Sequence, residues 1–376
     1  MKKTYFLILL AISHFATAQA PAGYYNSATG SGYTLKTQLK TIITSGHSDQ
    51  GYNSLWSLYT NSAYRDNFYE VNNTLLDIYS ERPSGTDSYE YTPGSDQCGN
   101  YSAEGICYNR EHLVPQSYFD NYQVNPMKND PFHVVPTDGW VNGVRGNLPF
   151  GVVASANYTS TNGSKRGTNL NSGYSAGFTG TVFEPIDEFK GDVARSLLYF
   201  ATRYQDLMDN FYAAANGSST QATVMFDGSI NKVFNDTFLN ILLTWHTNDP
   251  VSAREIAINN AVYNFQGNRN PYIDNPAYAC QVWVTNCTAL NLSTADFAVA
   301  ELKLYPNPSP NGTVYISSEK DIDRIEVVNI RGQIIQLMDS PQAHDQVYSI
   351  ENLQSGFYFI RITSDQVVET RKIIVQ

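Results

Sequence analysis

The chain changes character near residue 290, and no other feature constrains its architecture as much. Upstream, TLKTQLKTIITSGH, NSLWSLYTNSAYRDNFY, KGDVARSLLYFATRYQDLMDNF and FNDTFLNILLTWHTNDPVSAREIAINNAVYNFQGN place apolar residues three and four apart, the period of an amphipathic helix. Pro250, preceded by Asn248 and Asp249, predicts that the last of these breaks into two helices. The Gly/Ser/Asn/Thr-rich run from Ala154 to Thr181 lacks sustained periodicity, which predicts surface loops or a short hairpin. Downstream, KLYPNPSPNGTVYIS opens with turn residues, and RIEVVNIRGQIIQLMD, QVYSIENL and GFYFIRITSDQVVETRKIIVQ alternate as short strands. The expected fold class is α+β: a mainly helical domain over residues 21–290, then a small β-sandwich over 300–376. The length of 376 residues supports the split, because single cores stop growing near ~250–300 residues.

The first twenty residues, MKKTYFLILLAISHFATAQA, run from two lysines through an apolar stretch to a small-residue Ala-Thr-Ala site, the build of a secretory signal peptide removed after about Ala18. The stretch is too short to span a bilayer, so no stable membrane span is expected. Export makes the cysteines readable, because closely spaced pairs oxidise outside the cytoplasm. Loop closure favours Cys98 with Cys107 and Cys280 with Cys287. Neither pair has the two-residue gap typical of a zinc site.

The formal net charge is −11, and residues 300–376 contribute 7 Lys+Arg against 10 Asp+Glu, so the central domain is itself acidic. That argues against tight, extended binding along a nucleic-acid backbone. It permits a local cationic cleft, or a site whose positive charge is a bound divalent ion.

Chemistry concentrates in CYNREHLVPQSYF, which sets Glu111 beside His112, and in NDPFHVVPTDGWVNGVRGNLPFG, which gathers Asp130, His133, Asn142, Arg145 and Asn147. Hydrolysis of a phosphodiester needs a base for water, a Lewis acid for the phosphoryl oxygens, and stabilisation of the leaving 3′ oxygen. A hard divalent ion takes few protein oxygens in such a role, and Glu111 with Asn142 supplies that type of donor, leaving His112 as base.

The motifs NREHLVPQSYF, DPFHVVPTDGWVNGVRGN, FEPIDEFKGDVARSLLYF and WHTNDPVSAREIAINNAVYNFQGNRNPYID, in that order, resemble the endonuclease I family of His-Me finger (ββα-metal) nucleases. The resemblance implies His112 as the base that activates water, and Glu111 and Asn142 as ligands of one Mg²⁺, with Ca²⁺ or Mn²⁺ as substitutes. It also implies cleavage of DNA and/or RNA with little sequence preference, leaving 5′-phosphate ends. The segment Asp120 to Asn129 is shorter than in some relatives, and their phosphate-binding arginine has no obvious counterpart. Arg110, Arg145 and Arg195 are the candidates for that contact. Separately, LYPNPSPNGTVYIS, IEVVNIRGQII, LQSGFYFIRI and TRKIIVQ resemble the C-terminal sorting domain of type IX secretion cargo. That implies engagement of the type IX machinery, passage across the outer membrane to a secreted or cell-surface location, and removal of this domain on export; a monomer is expected.

Blander roles accompany several of these residues. Arg145 fits a salt bridge to Asp138 or another local acid as well as a phosphate contact, and Glu184, Lys190 and Arg195 fit an ion-pair network. His133 fits a core position, His246 a helix end, and Gln266, Asn268, Arg269 and Asn270 a turn. A zinc site from His112, His133 and His246 has no support in their spacing. The rival reading from another class is a non-catalytic secreted protein that binds glycans or cell-surface partners through its Tyr/Asn-rich surface.

Overall fold

A computed structural model describes residues 20–118, 125–210, 224–290, 303–318, 321–329, 334–344, 346–364 and 367–376. The expected signal peptide over residues 1–18 lies outside the described residues. By internal contacts the chain divides into Met1–Ser293 and Thr294–Gln376.

In the first unit, α1 (Gly32–Thr44) buries Leu35, Leu39 and Ile43, one residue per turn, as its sequence period requires. Lys36 lies on the same buried side, and its Nζ donates to the carbonyls of Ile230 (2.8 Å) and Asn231 (2.7 Å). The second periodic segment is helical only over α2 (Ser54–Leu58). Asn61 ends the pattern by accepting a bond from the Ala63 amide at 2.9 Å, and the chain then turns into the bridge between Arg65 and Leu75.

Two strands, β1 (Tyr108–His112) and β2 (Val134–Asp138), pair antiparallel with His112 opposite Val134 and Tyr108 opposite Asp138. Helix α3 (Gly139–Arg145) follows β2 without a linker, because Asp138 closes the strand and caps the helix by accepting the Val141 amide at 2.8 Å. Asp138 is fixed in turn by the Tyr91 hydroxyl at 2.6 Å and the Gly105 amide at 2.9 Å. Disulfides join Cys98 to Cys107, at the entry to β1, and Cys280 to Cys287.

The Ala154–Thr181 region contains more order than its composition predicts: β3 (Val153–Thr159), β4 (Lys165–Asn169) and β5 (Thr181–Glu184) form a three-stranded antiparallel sheet. β3 is largely exposed, so it needs no apolar alternation, and its register shifts beside Gly167. A Cβ at Gly167 would come within 2.1 Å of the Ser155 carbonyl oxygen.

Helices α4 (Lys190–Arg203), α5 (Asp236–Asn248) and α6 (Ala253–Gln266) form the helical body, with short helices over Pro271–Asp274, Tyr278–Val282 and Val284–Ala289. α4 is buried on nearly every side. The chain does break at Pro250, where Ser252 and Glu255 form a reciprocal capping box that starts α6. Asn268, Asn270 and Gln266 turn inward: Gln266 donates to Asp130 at 2.9 Å, Asn268 to the Ile43 carbonyl at 3.0 Å, and Asn270 to the Arg195 carbonyl at 3.1 Å. Arg269 makes a bidentate pair with Asp274, both bonds at 2.7 Å.

The second unit contains two antiparallel sheets. One orders as β10 (Val347–Ile350), β7 (Val314–Ser317), β6 (Lys303–Tyr305). The other orders as β12 (Val367–Val375), β11 (Gly356–Ser364), β8 (Arg324–Asn329), β9 (Ile334–Asp339). Residues of both sheets, including Val314, Ile316, Val327, Ile350 and Ile360, share one apolar cluster.

His246, in the last turn of α5, is buried, and its Nε2 donates to the Pro276 carbonyl at 2.9 Å. Burial, and then the nearby Arg195 guanidinium, lower its pKa from 6.5 to about 4. Between those values the unfolded chain binds a proton that the folded chain excludes, so this residue makes stability fall as pH drops from 6.5 toward 4. His246→Gln, whose amide can donate to the same carbonyl, is expected to lose less stability than the parent across that window in urea unfolding at stepped pH. Parallel slopes for the two proteins would contradict this.

Candidate active site

The β1–β2–α3 unit brings the two sequence motifs together. Glu111 and His112 end β1, Asn142 lies one turn into α3, and the Asn142 Nδ2 donates to the Arg110 carbonyl at 3.3 Å. This bond turns the Asn142 Oδ1 away from that carbonyl.

Glu111 is 2% exposed. Its Oε1 accepts both the Tyr79 hydroxyl and Arg145 Nη1, each at 3.0 Å, so neither of these bonds occupies Oε2. Burial pushes the Glu111 carboxyl above its ordinary value, against the opposing pull of Arg145. Arg145, 1% exposed, also gives Nη1 to the His112 carbonyl (2.8 Å), Nη2 to the Leu113 carbonyl (2.7 Å) and Nε to the Leu148 carbonyl (3.1 Å), with Phe150 beneath it. A phosphate contact for Arg145 is therefore replaced by a different role. Its fork is spent on Glu111 and on the main chain after β1, and its acid is Glu111, not Asp138.

His112 is 6% exposed. Its Nε2 lies 3.1 Å from the Lys128 carbonyl oxygen, and the Gln116 amide nitrogen lies 3.0 Å from Nδ1 and 3.2 Å from Nε2. A carbonyl only accepts, so Nε2 carries the ring proton and Nδ1 the lone pair. Burial first, and then the neighbouring His133 ring, hold the His112 pKa well below 6.5.

His133 packs behind it with ring centroids 5.8 Å apart, and its own Nε2 donates to the Met127 carbonyl at 2.6 Å. Its position is a core one: it is fully buried, and burial lowers its pKa to about 4. The adjacent Asp130 receives the hydroxyls of Tyr199 (2.8 Å) and Tyr204 (2.7 Å). Burial alone would raise Asp130, but the His133 ring and the donors from Tyr204 and Gln266 leave it below its ordinary value.

The remaining arginines differ from each other. Arg110 stacks on Tyr52 at 3.5 Å and Trp56 at 4.2 Å, and donates Nη1 to the Tyr52 carbonyl at 2.9 Å. The Tyr52 ring is 5.8 Å from that of His112, and Lys128 Nζ lies 5.1 Å from Tyr52, so two cations border the histidine. Arg195 is fully buried in α4. It pairs with Glu255 through Nε and Nη2, donates Nη1 to the Asp249 (2.7 Å) and His246 (3.4 Å) carbonyls and Nη2 to Asp192 (3.4 Å), which leaves no donor for a substrate. Lys190 pairs with Glu184 and Asp187, so the expected ion pairs exist as two separate sets. Tyr79, Lys128 and Tyr52 carry no motif signal, and Gln116, though inside NREHLVPQSYF, is not singled out by it. Only Gln116 sits at a telling place, four residues after His112.

Among the described residues no His-containing metal cluster exists, and the one grouping of three acidic ligands is Asp66, Glu70 and Glu81, away from His112 in sequence. The donor set of Glu111 and Asn142 fits a hard cation: both offer oxygen, and both are held by bonds to their other polar atom.

A family model described as Endonuclease I matches residues 31–277, and one described as a secretion system C-terminal sorting domain matches 303–376. The extracellular ribonuclease of Bacillus amyloliquefaciens is 30% identical over 262 residues, covering 69% of this chain and 78% of the relative. That of Bacillus subtilis (strain 168) is 30% identical over 264 residues with the same coverage, 69% and 78%. A solved structure of PorZ from Porphyromonas gingivalis aligns over 22% of this chain and 12% of its own at 15% identity, with a TM-score of 0.18, too little to bear on the fold. The protein is a nuclease, secreted or displayed at the cell surface. It belongs to the Endonuclease I family.

Arg145→Met leaves Glu111 buried without its cation and is expected to cost about 3–5 kcal/mol of unfolding free energy. Arg145→Lys should recover only part, because an ammonium cannot reproduce the fork. Denaturant unfolding measures both, and an unchanged Arg145→Met stability would contradict the clamp.

Proposed function

We propose that the β1–β2–α3 unit is a His-Me finger, a ββα-metal centre, that hydrolyses phosphodiester bonds of RNA and DNA. The observation that carries this reading is the hydrogen bond from His112 Nε2 to the Lys128 carbonyl, because it assigns the lone pair to Nδ1. Gln116 holds the place beside Nδ1 until a water takes it.

Glu111 and Asn142 hold one divalent ion, Mg²⁺ in the first instance with Ca²⁺ or Mn²⁺ as substitutes, and bound there it neutralises charge on the phosphoryl and leaving oxygens. Tyr79 and Arg145 fix Glu111 so that its second oxygen stays in place. Arg110 and Lys128, with Tyr52 between them, receive a flanking phosphate or stack a base. His112 Nδ1 accepts a proton from the attacking water, the new P–O bond forms opposite the 3′ oxygen, the P–O3′ bond breaks, and the departing oxygen takes a proton from solvent water. The products are a 5′-phosphate and a 3′-hydroxyl.

Because water, rather than a 2′-hydroxyl, attacks, DNA is a substrate alongside RNA. Activity on RNA is also supported by the two relatives named extracellular ribonucleases. Residues 1–18 act as the export signal, 21–290 as the nuclease, and 300–376 as a β-sandwich sorting domain that engages the type IX machinery and is removed on export. The nuclease works as a monomer.

His112→Ala is expected to slow cleavage of plasmid DNA and of RNA by about 10²–10⁴-fold while metal binding persists. Glu111→Gln should instead raise the metal concentration needed for half-maximal rate, and EDTA should stop both reactions. Full plasmid cleavage by purified His112→Ala protein would sink the assignment.

A further inference from the structure

The strongest unexplained feature of the first unit lies outside the β1–β2–α3 site. Asp66, Glu70 and Glu81 each bring a carboxylate oxygen within 4.8 Å of the other two. Asp66 and Glu81 are each 1% exposed. Five of the six oxygens, Asp66 Oδ2 and both oxygens of Glu70 and Glu81, are shielded from solvent with no N–H or O–H donor among the described residues, and the Glu70 and Glu81 carboxyls lie within hydrogen-bonding reach of each other. The sixth, Asp66 Oδ1, accepts the amides of Phe68 (3.1 Å) and Tyr69 (2.9 Å), which holds Oδ2 toward the cluster.

Among the described residues no Lys or Arg pairs with them. Arg65, next to Asp66, donates to the carbonyls of Thr60 and Asn73, and Arg82, next to Glu81, donates to that of Thr86. Converging carboxylates shielded from solvent are costly to hold as three anions, and a shared proton or a bound cation relieves that cost. The proton alternative is concrete, since burial and the Asp87, Glu70 and Asp66 carboxylates push Glu81 up to about 9.

We propose that Asp66, Glu70 and Glu81 bind a structural Ca²⁺ ion, separate from the ion at Glu111 and Asn142. The ligands are all hard oxygens. Five donor-free carboxylate oxygens with water approach the six to eight that Ca²⁺ takes, and its tolerance of mono- and bidentate carboxylates suits two glutamates. Oxygens around one Ca²⁺ lie at most about twice its 2.3–2.6 Å bond length apart, which matches the span of the cluster. Millimolar Ca²⁺ outside the cell suffices for extracellular sites of this kind.

The site ties the Asp66–Glu70 loop to the segment ending at Glu81. That segment carries Tyr79, whose hydroxyl positions Glu111, so the ion stiffens the support of the active site without touching substrate.

The test uses the full chain with Glu111→Gln, which weakens the other ion site, so that Ca²⁺ binding is read without relying on cleavage. Equilibrium dialysis with radiolabelled Ca²⁺ should find one ion per chain. At about a hundred times Kd the ion should raise Tm by about 5–10 °C relative to EDTA. Adding Glu81→Gln, or Glu70→Gln if the buried change prevents folding, should remove the bound ion and the Tm rise. In EDTA, Glu81→Gln alone should be at least as stable as its parent, because it relieves repulsion between carboxylates. The proposal is overturned if the folded Glu111→Gln protein binds no Ca²⁺, or if binding survives the Glu70 or Glu81 substitution. It is also overturned if Glu81→Gln lowers Tm in EDTA while Ca²⁺ shifts neither protein, the signature of a shared proton only.

Discussion

The active-site half of this molecule depends on one buried guanidinium. Arg145, at the end of α3, reaches back across the strand pair to Glu111 and to the carbonyls of His112 and Leu113, so a single side chain locks the helix to the end of β1. An exposed ion pair would contribute little, but here both partners are excluded from water, and each leaves the other uncompensated if removed. The pair also sets direction. With Arg145 and Tyr79 both on Oε1 of Glu111, the carboxylate has one defined orientation instead of several. The arrangement of Glu111, His112 and Asn142 therefore rests on packing and hydrogen bonds internal to the fold, the preorganisation that the proposed centre requires.

An acidic chain that acts on polyanions requires local exceptions to its net charge of −11. Arg110 and Lys128 provide one, both within reach of the Tyr52 ring beside His112. Most other cations of the first unit are neutralised by their own fold: Arg195 by Glu255, Arg254 by Asp192, Arg269 by Asp274, Lys190 by Glu184. Among the described residues Arg110 and Lys128 have no carboxylate partner of this kind and border His112, while the long-range field of the protein does not favour indiscriminate adhesion to nucleic acid.

Where the sequence was legible, the physics was local. Leu35, Leu39 and Ile43 repeat once per turn and form α1, and Pro250 with Ser252 and Glu255 marks the break between α5 and α6. The change of composition near residue 290 lies close to the division between Ser293 and Thr294. Legibility failed where tertiary context overrides local preference. The helical period after Asn53 is cut short by the Asn61 turn, and β3 is too exposed to show alternation. Arg145, with Gly143 and Gly146 near it, reads equally as a phosphate contact or as the partner of a local acid, and only its place at the end of the helix that Asp138 caps turns it into the interior toward Glu111. Tyr52, Tyr79 and Lys128 reach the site from separate segments with no motif of their own, so only the folded chain brings them beside Glu111 and His112.

The central claim is a division of labour in which Glu111 and Asn142 hold a metal ion and His112 does not. Anomalous difference density from crystals soaked in Mn²⁺ measures this directly. The account predicts a peak in ligand contact with a carboxylate oxygen of Glu111 and the Oδ1 of Asn142, with the His112 nitrogens outside its coordination sphere. A peak ligated by His112, or none at Glu111 in crystals that cleave nucleic acid when dissolved with Mn²⁺, would contradict it.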